Sequence, residues 1–549
     1  MTIRRSRVRA SGVLTGAVAL SLVWSGVAAG AGADLLARRE TGAATECAAD
    51  NEINIVTNGD ARNINPILAV DLDGGWRTDL MFDPLVLVDP VSLEPIPWLA
   101  DSWTISDDNR TYTFTLREDA TFHDGEPVTA ADVEFTVMAM LSPGYQGAFQ
   151  TDWARLEGAA DVIAGTAETL TGLQVIDDYT IEFTLTDPYA GFLTVMARQL
   201  KPLPSHLLAE EGDLSESSAF SLNPVGSGQY RFESWEKGNR FVAVANPDHW
   251  TGEACLKRIT QTIIPDMNTL VASLEAGEYD ATIVPPPSSL ERLGGMESLT
   301  IFELPPKTPE GIHFNLEQAP FDNPLVRRAI ASAIDYDAFG REFMGYDEPM
   351  PRGFFSPASW AYNDEFAPPA YDPEAAATLL EEAGFPGGEG LTIQLRTNAG
   401  NQFREQELTF IQDQLAAVGI ESEIVAEEWG LFISAVGDGD FQIAAVNAGD
   451  NAGIPDPTAI EEVYRTGGAA NYTGYSNPDV DALLDEASSL VDVDERTALY
   501  AEVQAILAED LPFLPGFWYP NLFAVRSDIE GVDPSVTGAY WNIADWVVP

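Results

Sequence analysis

The chain has 549 residues, with 86 acidic side chains against 29 basic, a formal charge of −57 and a hydrophobic fraction of 45%. One hydrophobic core stops growing near ~250–300 residues, so this length excludes a single compact core and predicts at least two units. The charge excludes binding to a phosphate backbone and disfavours anionic lipid, and the hydrophobic fraction excludes disorder. Such a surface keeps a chain soluble or draws a cationic ligand.

At the N-terminus, Arg4, Arg5, Arg7 and Arg9 precede the uncharged run SGVLTGAVALSLVWSGVAAGAGA. Ala31-Gly32-Ala33 or Ala29-Gly30-Ala31 fits a small-residue cleavage site, and together these features predict an export signal over residues 1–33. The run is nearly long enough to span a bilayer, so a retained anchor is the alternative. An N-terminal segment, 34–49, follows. Cys47 and Cys255 make an even count in an exported chain and predict one disulfide, tying this segment to a strand beginning near Leu256. Lipidation of Cys47 competes, but ATEC lacks the small apolar residues that precede a lipid-modified cysteine.

Further on, NINPILAVDLDGGW reads as a loop and LVLV as a buried strand. WTISDDNRTYTFTLRED alternates polar and apolar residues around Asp107-Asp108-Asn109, which is a β-hairpin. Thr129-Ala-Ala-Asp132 is a capping box opening the helix AADVEFTVMAML. GQYRFESWEKGNRFVAVANPD is a second hairpin, turned by Lys237-Gly238-Asn239. RITQTIIPDMNTLVASLEAGEYDATIV reads strand, helix, strand, a crossover that needs a largely parallel sheet. From about Gly311 the pattern restarts: GIHFNL, LTIQLRT and IESEIVAEE as strands, NPLVRRAIASAI, DPEAAATLLEEAG and QELTFIQDQLAAVG as helices, with Pro324 in the first turn of its helix. DERTALYAEVQAILAED is helical. The apolar PFLPGFWYPNLFAVR can return the chain to the first unit.

The four histidines, His123, His206, His249 and His313, form no HExxH and no pair at helical spacing, which argues against a zinc enzyme. No GxSxG elbow and no Walker-type loop occurs. His123-Asp124 lies in FHDGEPVTAADV between a hairpin and a capped helix, where Asp124-Gly125 is turn chemistry rather than a catalytic dyad. Carboxylates are too many for counting to single out a glycosidase pair.

Taken together, Ala100-Asp-Ser-Trp, its hairpin and TFTLREDATFHDGEPVTAADV resemble the family 5 extracellular solute-binding proteins of ABC transporters. NPVGSGQYRFESWEKGNRFVAVANPDHWTG, GIHFNLEQAPFDNPLVRRAIASAID and YSNPDVDALLDEA resemble further segments of that family, so the resemblance covers roughly 50–549. It implies an α/β, two-lobe periplasmic-binding-protein-like fold of type II, large cluster, with the ligand cleft between lobes. Lobe I would span 50–309, with an inserted subdomain about 86–222; lobe II would span 310–516; residues 517–549 would return to lobe I, and the crossings near Pro309 and Gly516 would form a hinge. Closure would be a population shift driven by the solute.

The resemblance further implies no enzyme activity, no cofactor and no metal, a monomer, a periplasmic or cell-surface location, and membrane permeases as partners. The solute implied is a short peptide; an oligosaccharide or a metal complex is the alternative, and a secreted hydrolase the remote one. In peptide-binding relatives an aspartate of a lobe II loop pairs with the peptide ammonium, because a buried ammonium needs a charged acceptor. The matching loop here is AVNAGDNAGIPDP, which carries that role to Asp450, with Asp456 as rival and Asn447 and Gly449 beside it. This loop lacks the aromatic residue that relatives often carry before the aspartate and is lengthened before Pro457. Asp73 and Trp76 stand where relatives contact solute from lobe I, and Trp429 in lobe II. Arg404 is either a partner for a peptide carboxylate or an exposed cation at a helix start.

Overall fold

The computed structural model describes residues 51–549 apart from 70, 210–213, 284, 286–288, 305, 307–308, 346–351, 449–456, 469, 491 and 519–520. The export signal, Cys47, Gly449, Asp450 and Asp456 therefore lie outside the described residues. The chain divides into two compact units, one formed by the residues up to Leu304 together with Leu522–Pro549, the other by Pro305–Asn521. Pro309 and Gly516, taken from the sequence as crossings, lie inside the second unit, because the strands Pro309–Phe314 and Phe513–Trp518 pair with each other there.

The first unit contains a seven-stranded sheet in the order Leu299–Leu304, Asn521–Arg526, Ala281–Ile283, Glu52–Thr57, Arg258–Ile263, Arg240–Ala245 and Tyr230–Glu236. Glu52–Thr57 runs parallel to both neighbours. The chain passes from Arg258–Ile263 to Ala281–Ile283 through the helix Met267–Glu275, as the crossover pattern requires. A separate four-stranded antiparallel sheet orders Ala100–Ile105, Thr111–Leu116, Thr180–Thr184 and Leu173–Asp177. Beside it the helix Ala130–Leu141 starts at the expected capping box, the Thr129 amide donating to Asp132 Oδ2 at 2.8 Å.

One expectation fails in this unit. Asp73 and Trp76 do not lie in a loop but on the helix Leu72–Met81, capped by Asp71, whose side chain accepts from the Gly74 amide. Two consecutive glycines disfavour a helix by their intrinsic propensity. Packing overrides it: a Cβ on Gly74 would stand 2.7 Å from the Asn63 carbonyl oxygen, so close approach is what requires glycine here.

The second unit is built on a five-stranded sheet in the order Glu421–Glu427, Thr392–Asn398, Ile443–Ala445, Pro309–Phe314 and Phe513–Trp518. The first three strands are mutually parallel, and Pro309–Phe314 is antiparallel to both of its neighbours. The carboxyl ends of the three parallel strands therefore share one sheet edge with the amino end of Pro309–Phe314. The helix Gln402–Ala417 buries Leu408, Ile411 and Leu415 in the core of this unit together with Ile393 and Leu395.

Candidate functional site

In the second unit the residues named from the sequence gather at that shared edge. Arg404, two residues into the helix Gln402–Ala417, is neither exposed nor free: it is 6% accessible and donates four hydrogen bonds. Its Nε donates to Glu310 Oε2 at 3.0 Å and its Nη2 to Glu310 Oε1 at 3.0 Å, a bidentate ion pair. Nη1 donates to Asn398 Oδ1 at 3.1 Å and Nη2 to Asn447 Oδ1 at 3.0 Å. Glu310, Asn398 and Asn447 belong to or follow three adjacent strands, so one guanidinium ties three strand ends together. The backbone adds to this, the Val446 amide donating to Gly311 O and the Ala448 amide to Pro309 O.

Glu407, one turn beyond Arg404, is fully buried and takes a hydrogen bond from the Tyr336 hydroxyl at 3.1 Å. Burial pushes its carboxyl up to about 8, the charge of Glu310 adding to the shift, so it is protonated at neutral pH. Neither Glu310 nor Glu407 was named from the sequence. A signal existed: Arg404, Glu407, Leu408, Ile411 and Leu415 fall on one helical stripe, and charged residues at core spacing demand partners. Trp429 opens the helix Trp429–Gly437 just past the strand Glu421–Glu427; it is 39% exposed beside the more exposed Leu431, its ring 5.9 Å from Phe432.

In the first unit, Asp73 lies two residues beyond the carboxyl end of Glu52–Thr57 in space, its carboxylate so close to Gly59 that a Cβ there would fall 2.2 Å from Oδ2. It accepts no hydrogen bond among the described residues. Burial pushes its carboxyl up to about 6; Arg77 pulls it down, and the charges of Asp71 and Asp60 add to the rise. Arg77 is itself committed to Asp60 at 2.6 Å and to Gln261 at 3.1 Å, its guanidinium 5.0 Å from the Phe241 ring. Trp76 is half-buried, edge-on to Tyr540 with centroids 5.9 Å apart. Asp73 and Trp76 thus share a helix, and Arg404 meets Asn447; each pair is local to its own unit.

Three of the four histidines, His123, His206 and His249, have hydrogen-bonded structural partners. His123 Nδ1 accepts from the Gly226 amide and Nε2 faces Gly228 O at 3.0 Å, so Nε2 carries the proton. Burial lowers its pKa to about 4 and keeps it neutral. Asp124 bonds His206 at 2.8 Å, not His123. His249 and the indoles of Trp98 and Trp250 converge on the buried Asp83. Among the described residues no group of three or more His, Cys, Asp or Glu is placed to hold a metal ion, no cysteine is free, and no helix is long and apolar enough to cross a membrane.

In both units, then, candidate residues stand at the carboxyl ends of parallel strands, where open α/β sheets hold ligands. Comparison with known proteins gives these edges their meaning. The sequence profile of bacterial extracellular solute-binding proteins, family 5 Middle, matches residues 94–471. The chain belongs to the family 5 extracellular solute-binding proteins. Heme-binding protein A of Haemophilus influenzae is 30% identical over 435 residues, covering 76% of this chain and 78% of that protein. The dipeptide-binding protein of Escherichia coli is 27% identical over 469 residues, covering 82% and 86%. The ABC transporter-associated periplasmic binding protein of Helicobacter pylori, solved in complex with the peptide STSA, is 26% identical with a TM-score of 0.76 over 90% of this chain and 98% of that one. This family 5 protein therefore has the α/β architecture of periplasmic binding proteins, as its sheets and its likeness to known structures agree.

Proposed function

We propose that this protein is the exported substrate-binding subunit of an ABC importer, that it captures a short peptide, and that it passes the peptide to membrane permeases without chemical change. The observation that carries the reading is the placement of Asp73 and of the Arg404–Asn447 pair at the carboxyl edges of their sheets, in a chain whose relatives include binders of dipeptides and of the peptide STSA. Asp450 would accept the peptide ammonium, with Asp456 as rival and Gly449 and Asn447 lining the same loop; Trp429 and Trp76 would supply apolar walls. Asp73 suits a solute-facing role because its carboxylate is partly open to solvent and accepts no hydrogen bond among the described residues. The strong negative charge would speed capture of cationic peptides at low salt. An export signal over residues 1–33 and a Cys47–Cys255 disulfide complete the proposal for the oxidising side of the membrane.

A second reading is favoured by the haem-binding relative: a non-peptide solute such as a metal complex. Calorimetry against a library of di- to pentapeptides separates the two, since repeated failure of every peptide removes the first. If Asp450→Asn leaves the affinity of a bound peptide unchanged, the ammonium assignment is wrong. Turnover of a bound peptide by protein free of contaminants overturns the non-catalytic role.

A further inference from the structure

We infer that Arg404 is a positioning residue: docked on Glu310, it holds Asn447 in place and shapes solute binding through Asn447 without touching the solute itself. The inference rests on the proposal that Asn447 contributes to the solute site, and it replaces the expectation that Arg404 meets a peptide carboxylate.

The donor arrangement carries it. A guanidinium has five N–H groups in a rigid fork. Four are engaged, two on Glu310, one on Asn398 and one on Asn447, which uses Nε and both protons of Nη2. The single N–H left on Nη1 belongs to a side chain only 7% exposed. A solute carboxylate would need a bidentate face of the fork, and the face that offers Nε and Nη2 is already filled by Glu310. Arg404 also cannot turn away cheaply, since removing a buried charge from its partner leaves that partner uncompensated.

The surroundings keep the guanidinium committed. Glu407, on the same face of the helix, is held protonated by burial and takes its hydrogen bond from Tyr336, so Glu310 is the carboxylate that Arg404 bonds. Asn447 is bracketed by backbone bonds, Val446 to Gly311 and Ala448 to Pro309, on the strand that carries Glu310. The arginine supplies the side-chain link between the same two segments. Without it the two segments lose the side-chain link that braces their backbone pairing and the Asn447 amide loses one of its bonds, which raises the cost of ordering Asn447 around a solute.

Two measurements on the full chain test this. In the solute-free protein, Arg404→Gln should speed hydrogen exchange at the Val446 and Ala448 amides while the strand Thr111–Leu116 in the other unit stays unchanged; unaltered exchange at Val446 and Ala448 overturns the inference. With tri-alanine as probe, Arg404→Gln and Asn447→Ala should each weaken binding about tenfold, and the double variant should bind no more weakly than Asn447→Ala alone. Additive losses would mean that Arg404 touches the solute. Wild-type affinity in a variant with a lowered melting temperature would mean that its role is only structural; either result overturns the inference. Should Arg404→Gln not fold, Arg404→Lys keeps the charge against Glu310 while losing the fork and carries the same comparison. If wild-type protein does not bind tri-alanine, the peptide proposal is what is called into question, and the exchange measurement still decides the role of Arg404.

Discussion

Asp73 and Glu407 are both helix carboxyls pushed up by burial, to about 6 and about 8, yet they sit in different units and in opposite circumstances. Glu407 is sealed in a core, bonded to Tyr336 and next to a closed ion pair. Asp73 is partly open to solvent at a sheet edge and has no hydrogen-bond donor. A perturbed acid therefore does not mark a binding site by its perturbation alone; what distinguishes the two is access, since Glu407 is closed off in a core and Asp73 keeps a face to solvent. The first unit leaves a carboxyl open to solvent, and the second unit spends its arginine on its own architecture.

This contrast can be broken by substitution. The largest effect is expected from Glu310→Ala, which strands Arg404 as a buried unpaired cation and should cost about 3–5 kcal/mol in urea unfolding of the second unit. A loss below about 1 kcal/mol would place the pair among weak surface ion pairs instead.

Glu407 should reveal itself through pH. Its carboxyl keeps a proton in the folded state that the unfolded chain releases near 4.5, so stability is fully present below that value and falls as pH rises towards 8. Relative to wild type, Glu407→Gln should remove a slope of about 1.4 kcal/mol per pH unit, a gain of roughly 3 kcal/mol by pH 7, without changing peptide affinity. Parallel curves for variant and wild type between pH 5 and 7 would show that the carboxyl is not held protonated.

Asp73 shows the same sign over a lower window. Its contribution is intact below 3.8 and lost as pH rises through about 6, so above pH 6 Asp73→Asn should be the more stable protein, by about 1 kcal/mol once solvent screening is allowed for. Unlike Glu407→Gln, it should also weaken solute binding about tenfold, a stability gain at the expense of function. A gain in stability with unchanged affinity would make Asp73 a structural neighbour of Arg77 and nothing more. The smallest effect sharpens the comparison as a control: Thr129→Ala opens the capping box away from both acids and should cost about 1 kcal/mol in thermal unfolding, leaving affinity untouched.

Much of the architecture was legible because it is local. The capping box at Thr129, the hairpins around Asn109 and Gly238, and the strand, helix, strand run ending at Ile283 each follow from periodicity and turn chemistry within a few residues. The helix Leu72–Met81 was not legible, since the need for glycine at Gly74 comes from the Asn63 carbonyl, eleven residues back and visible only once folded. The partnership of Arg404 with Glu310 is harder still: 94 residues separate them, and only sheet topology brings the start of one strand beside the ends of two others. The core stripe of the helix Gln402–Ala417 announced that Arg404 and Glu407 would need partners, but the stripe could not say which. The loop that the family resemblance singled out, around Asp450, lies outside the described residues, so its role rests on that resemblance and on the strand end at Asn447.

The central claim is that the chain captures a short peptide and releases it unchanged. Mass spectrometry of the ligand set free from purified full-length protein, followed by calorimetry of the same compound, tests it most directly. The account predicts an intact short peptide that rebinds stoichiometrically; an oligosaccharide, a metal complex or a cleaved product in its place would contradict it.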